Sequence, residues 1–243
     1  MIFEAANFVF EPPLELAFAR RILIKPSAGS SQPHPVTTSR ETLAAVIAGI
    51  RKVSSADILI LEGSAGTETI HSIYKDLGYD FPHTTLLDVD QCVPVAVENS
   101  LSKPFSQTTF WVPNIILSCD FMITIAPFKV VKGQGSFSIR NLLGLLPTSK
   151  YQQEMKGFRG VEPSAGIDNI IADLYFTLPF DLGIIDGRKR LINAKDHFQG
   201  EIEDYGKIFV GSPYEVDSEA SNDAGMTPEY LRLIAEVRAT EGG

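Results

Sequence analysis

Cysteine is scarce in this chain of 243 residues: only Cys92 and Cys119 occur. They can build neither a disulfide framework nor a four-thiolate zinc or iron–sulfur centre unaided. Positive charge is short too, with 21 Lys and Arg against 30 Asp and Glu and a net charge of −9. That balance excludes a general binder of nucleic acid or of anionic membranes, whose affinity rests on basic side chains. No apolar run reaches the roughly 18 residues of a membrane span, and Met1–Asn7 has no basic segment leading into an apolar one. A protein neither secreted nor membrane-spanning, working in a reducing cytoplasm, is therefore expected. Low-complexity tracts and repeats at a period of about 20 to 50 residues are also missing, which excludes a solenoid.

What is present is a core. Hydrophobic residues make up 44% of the chain and charged ones 21%, enough apolar surface for folding without a partner. The length suits one large α/β domain, taken as residues 1–243. Short continuous apolar runs at 21–25, 57–62, 85–88, 121–125, 182–186 and 207–210 read as strands covered on both faces.

Helical spacing separates several of these runs. Thr38 with Glu41 has the capping-box pattern, and Leu43, Val46, Ile47, Ile50 and Val53 follow it on one face. Ile70, Ile73, Tyr74 and Leu77 precede Gly78, and Ile167, Ile170, Ile171, Leu174 and Leu178 precede Pro179. Thr227-Pro228-Glu229 reads as cap, first-turn proline and early acid of a last helix through Leu231, Ile234 and Val237. Strands alternating with helices predict a mainly parallel, doubly wound α/β sheet with helices on both faces. The segment 92–113, broken by Pro94, Pro104 and Asn99, reads as an irregular excursion with one edge strand at 109–112, a flap or small subdomain. Residues 27–35 and 150–163 read as loops, which on a rigid sheet often carry function.

In a parallel sheet, whatever follows each strand gathers at one edge, where open α/β sheets place ligands. Spacing thus brings Lys25, Glu62, Asp88, Lys129 and Asp186 around one crevice, although charges at strand ends also simply mark where strands meet water. Between 129 and 160, Lys129, Lys132, Arg140, Lys150, Lys156 and Arg159 face the single acid Glu154. A basic patch in an acidic protein suggests an anionic ligand. Within it, Lys129–Asn141 looks like a glycine-containing loop entering a helix near Ser136 or Ser138, whose free N–H groups suit phosphate or carboxylate. It fits neither the phosphate-loop nor the dinucleotide pattern. Ser64-Ala-Gly66-Thr67 is a second candidate cradle, with Thr67 capping the next helix, or a plain capped turn.

Glu62, Asp88, Asp90, Asp186 and Asp217 are hard oxygen ligands of the kind Mg²⁺ or Mn²⁺ takes beside a ligand phosphate, Glu62 and Asp88 foremost. His34, His71, His83 and His197 form no metal-binding spacing. Cys119, just before a strand, reads as a small apolar filler, and Cys92 has no identifiable histidine partner.

The order of these segments resembles the family called domain of unknown function 362 from about Leu23 to Asp217. The pieces that carry it are 24–26, 61–64, and above all 119–129, which ends in Pro127-Phe128-Lys129, followed by 139–147; then 184–187 and 210–217. The resemblance implies Lys129, Asn141, Asp186 and Asp217 as site positions. The chain departs from the family pattern where Val131 replaces a common His, Arg140 a Lys, and Arg188–Arg190 a Gly-Pro segment. Some members carry ferredoxin-type cysteine clusters, whereas this chain lacks the ligands, so an iron–sulfur cluster is expected only in a redox partner.

The expectation is an enzyme for a small phosphorylated or carboxylated molecule at the carboxyl edge of the sheet. Lys25, Ser64, Lys132, Arg140 and Asn141 would bind it, and Lys129, Asp186 and Asp217 would carry catalysis. The alternative is a non-catalytic module that senses an anionic metabolite or docks on a redox partner, and a homo-oligomer is compatible with either.

Overall fold

A computed structural model describes residues 1–151 and 166–241 of the chain. Lys156, Arg159, Glu154 and most of the expected loop at 150–163 lie outside the described residues. Among the described residues, no helix is long and apolar enough to cross a membrane.

The chain starts with a short edge strand β1 (Ile2–Glu4) and two 3₁₀ turns, then enters β2 (Arg21–Pro26), α1 (Arg40–Val53), β3 (Asp57–Glu62), α2 (Ile70–Asp76) and β4 (Thr84–Asp88). A hairpin, β5 (Pro94–Glu98) and β6 (Thr109–Pro113), precedes β7 (Phe121–Val131) and β8 (Gln134–Ser136). A 3₁₀ segment (Arg140–Leu145), α3 (Thr148–Tyr151), α4 (Ile167–Thr177), β9 (Leu182–Ala194), β10 (Glu201–Gly211), α5 (Pro213–Asp223) and α6 (Glu229–Glu241) complete it.

The main sheet runs β1-β10-β9-β7-β2-β3-β4, with β8 paired to β7. Strands β9, β7, β2, β3 and β4 are mutually parallel, as the apolar runs predict. Strand order proceeds from β2 through β3 to β4 on one side and through β7 to β9 on the other. The reversal opens a crevice between β2 and β7, at the carboxyl ends, where doubly wound sheets bind ligands.

Period-two alternation divides each strand between two cores. Ile22 and Ile24 of β2, with Ile58 and Ile60 of β3, pack under α1 and α2. Leu23, Leu59 and Leu61 face the other way, against α4, α6 and the 3₁₀ segment. Helices therefore cover both faces.

Four differences from the sequence reading have physical causes. Ser39, not Thr38, caps α1, accepting the Thr42 N–H at 3.1 Å. Thr38 is used elsewhere, its hydroxyl accepting from Ser27 N–H and donating to the Ile125 carbonyl. Thr69 rather than Thr67 caps α2. The excursion at 92–113 contains two paired strands, with Phe110 and Val112 fully buried against the α4–α6 core. Finally, β10 is antiparallel to β9, because the link Lys195–Gly200 is far too short for the crossover that a parallel partner needs. Gly211 and Ser212 thus leave the sheet at the edge opposite the crevice.

Strands β7 and β9 run well past their apolar halves. Beyond Pro127, β7 turns at Lys132 and Gly133, both at positive φ (50° and 75°), into β8. This extension and the β9–β10 turn stand above the crevice as a wall.

Helix α5 begins at a complete capping box, Ser212 with Glu215, and Pro213 in its first turn. It carries Asp217, fully buried, whose carboxylate accepts from Ser138 N–H (2.9 Å), Ser138 Oγ (2.5 Å), Ile139 N–H (3.0 Å) and Tyr230 OH (2.9 Å). One side chain thereby fastens α5 and α6 to the segment after β8. Asp217→Ala strands these buried donors, and urea unfolding should show a loss of about 3 kcal/mol. A loss below about 1 kcal/mol would contradict the anchoring role.

Candidate functional site

A pocket of about 110 Å³ lies at the crevice, room for a small organic anion or several waters. Its floor comes from the strand ends, Lys25 of β2, Glu62 and Gly63 of β3, and Ala126 and Pro127 of β7. Ser27, Ser30, Val36 and Thr37 from the β2–α1 loop form one wall. Lys129, Ser136, Arg140, Asn141 and Gly144 form another, and His197 and Phe198 from the β9–β10 turn close over it.

Lys25 is fully buried because its strand is central. Its ammonium donates to Glu62 Oε2 at 2.8 Å, Asn141 Oδ1 at 3.1 Å and the Pro26 carbonyl at 3.1 Å. Glu62 in turn accepts from the N–H groups of Ala28 (2.9 Å) and Gly63 (3.0 Å). Asn141 Nδ2 donates to the Lys25 carbonyl at 3.2 Å and to Thr124 Oγ1 at 3.1 Å. Asn141 therefore orients Lys25 rather than standing free to orient a ligand.

Lys129 differs. It is 6% exposed, and its Nζ donates to the Val36 carbonyl at 2.8 Å. No carboxylate lies within ion-pair distance of it among the described residues. Burial pushes its pKa down to about 8, helped by the Arg140 guanidinium and Lys25 and opposed by Glu62. Burial also lowers Arg140, with Asp168 and Tyr230 acting the other way. A guanidinium still keeps its charge.

His197 sits beside these cations, Nε2 3.5 Å from an Arg140 nitrogen and Nδ1 3.5 Å from Ser136 Oγ. Burial first, then Lys129 and Arg140, hold its pKa well below the ordinary histidine range. The imidazole is neutral at neutral pH, and since Arg140 can only donate, Nε2 presents its lone pair there.

The structure thus brings together Lys25, Glu62, Lys129, Arg140 and Asn141 from the expected set. It places the others elsewhere. Asp186 is buried outside the pocket wall, accepting from Ser39 N–H at the start of α1 (3.0 Å) and from Arg188 N–H (3.2 Å). Asp217 is spent as described, and it already fills the cradle expected at Ser138 for a foreign anion. Ser64 accepts the Gly66 N–H in a turn, and Lys132 sits at the β7–β8 tip. Neither lines the pocket. Glu62 and Asp88 are register partners on β3 and β4, but Glu62 is occupied by Lys25 and two backbone amides. Among the described residues, no group of three or more His, Cys, Asp or Glu gathers there.

His197 lies outside the expected set. The polar stretch Arg188–Arg190 disguises the second half of β9, which positions His197 at its end. Gly144 belongs to the 139–147 stretch that carries the family resemblance, and a Cβ there would press directly on Glu62 Oε1 and Lys25 Nζ.

Two outcomes follow from this geometry. Gly144→Ala should force the Lys25–Glu62 pair apart and lower stability by about 2–4 kcal/mol in urea unfolding; an unchanged midpoint would contradict the close packing. Below pH 8 the folded chain carries a buried Lys129 ammonium. Between about 8 and the ordinary 10.5 the folded chain holds fewer protons at this group than the unfolded one. Stability relative to Lys129→Met should therefore rise with pH across that window, by up to about 1.4 kcal/mol per unit. Parallel pH curves for the two proteins would refute the lowered pKa.

The comparisons with known proteins agree with this architecture. The apoprotein of lactate racemase from Thermoanaerobacterium thermosaccharolyticum aligns with a TM-score of 0.51 at 17% identity, over 89% of this chain and 52% of that one. At that identity the likeness concerns the fold, and this chain spans about half the length of that protein. No curated protein matches. The model of the family described as domain of unknown function 362 matches residues 22–222, from the first central strand to the end of α5, and the chain belongs to that family.

Proposed function

We propose that the chain is an enzyme that binds a small carboxylate or phosphate at the carboxyl edge of its sheet. Lys129 and Arg140 take the anion and Lys129 and His197 supply proton-transfer groups. The observation that carries this reading is the buried Lys129 ammonium, which has no carboxylate within ion-pair distance among the described residues and lies beside a second cation. An uncompensated buried charge is costly, and an anion drawn into the pocket supplies the missing counter-charge.

Lys25 and Glu62 neutralise each other, so the excess positive charge resides with Lys129 and Arg140. Arg140 presents a planar fork matched to carboxylate or phosphate. Lys129, with its pKa lowered to about 8, can change protonation near neutral pH, as proton-transfer catalysts require. The structural neighbour is a racemase of lactate, a small carboxylate of the ligand class that this charge arrangement suits. A divalent cation has no part in this reading, since Glu62 is already paired.

Thermal unfolding with acetate, lactate, pyruvate, phosphate and pyrophosphate tests the assignment. A bound anion at about 100 times its Kd stabilises by about 2.7 kcal/mol, a readily measured rise in Tm. Lys129→Ala and Arg140→Gln should each diminish the rise. Wild-type protein that no anion stabilises, or an undiminished rise in both variants, would overturn the proposal.

A further inference from the structure

The pocket holds two lysines in contrasting situations. Lys25 is fixed as an ammonium by Glu62, Asn141 and the Pro26 carbonyl. Such a group holds charge in place and has no free lone pair. Lys129 donates to one carbonyl, that of Val36, and faces Arg140 and His197 across the same small cavity. A buried amine that meets no carboxylate among the described residues and adjoins another cation is in the setting that makes lysine a nucleophile.

We propose that Lys129 forms a Schiff base with a carbonyl compound that also carries a carboxylate or phosphate, a short 2-oxo acid being the simplest. The inference rests on the anion-binding reading above and deepens it by naming the reacting group of the substrate. The guanidinium of Arg140 holds the anionic end. The amine form of Lys129, accessible near its pKa of about 8, keeps one N–H on Val36 while its lone pair attacks the carbonyl carbon.

The step balances without an oxidant or reductant. A carbon–nitrogen bond forms as the carbonyl π pair moves to oxygen, and a proton passes from nitrogen to that oxygen to give the carbinolamine. The hydroxyl then leaves as water with one proton from solvent, and the nitrogen lone pair forms the protonated imine. The imine withdraws electrons from the neighbouring carbon and so acidifies its C–H bonds.

The test uses the full chain with pyruvate and sodium cyanoborohydride, which reduces imines and fixes the adduct on the protein. Intact mass and peptide mapping should find one dominant adduct, on Lys129, with labelling that increases as pH rises toward 8. Lys129→Arg should abolish it and Arg140→Gln should reduce it. Acetone, a carbonyl without the anion, should label far less, and lactate, an anion without the carbonyl, should compete. In D₂O, the wild-type protein should exchange the methyl protons of pyruvate faster than Lys129→Arg does, read by proton NMR. Labelling spread over Lys25 or surface lysines, or undiminished in Lys129→Arg, would overturn the inference. A Tm rise with pyruvate but no adduct would overturn it and leave the anion site standing. Neither rise nor adduct would remove both.

Discussion

The ion pair between Lys25 and Glu62 sets the geometry of the crevice. Two charges leave water at the ends of adjacent central strands, and that desolvation is offset only when every remaining donor and acceptor is matched. Asn141 matches Lys25 from the 3₁₀ segment, and the amides of Ala28 and Gly63 match Glu62 from the two loops that leave β2 and β3. Gly144 permits this because that segment lies directly on the pair. The floor, the β2–α1 loop and the 3₁₀ wall are thus held in one arrangement by a single buried pair.

Buried carboxylates elsewhere share a different task. Asp173 accepts three consecutive backbone N–H groups at Phe105, Ser106 and Gln107, fastening the β5–β6 loop to α4. Asp186 receives the start of α1, where a negative charge also suits the helix dipole, and Asp217 receives the turn after β8. In a fold with long loops over a sheet edge, a carboxylate that collects several amide donors forms charge-assisted bonds and fixes the loop where apolar packing cannot. An acid that ends a strand or begins a turn is therefore as apt to anchor backbone as to react.

With those acids engaged, the lining of the crevice carries an excess of basic side chains among the described residues. Lys129, Arg140 and His197 reach the pocket from three separate segments, the extension of β7, the 3₁₀ turn and the β9–β10 turn. Burial first, and then the neighbouring cations, lower the pKa of Lys129 and of His197 alike. The family's matched span includes all three segments, and the wall they form rises beyond the apolar halves of the strands.

The apolar runs determined the five parallel strands, because a strand buried on both faces has to be apolar at every position. Periodicity likewise determined α1, α2 and α4, and strand ends determined that Lys25, Glu62 and Lys129 share one edge. Tertiary structure alone decided what each charge does there. Lys25 and Lys129 are the same residue type at neighbouring strand ends, yet one meets Glu62 and the other a carbonyl, and that difference depends on contacts across 37 and 93 residues of chain. The second half of β9 was illegible because its partly exposed residues, Arg188–Arg190 among them, break the continuous apolar run that marks its first half. His197 is carried on its end, so its place in the pocket was illegible too. Local pattern records which side chains are buried, whereas the partner of a buried charge is a matter of distance in space.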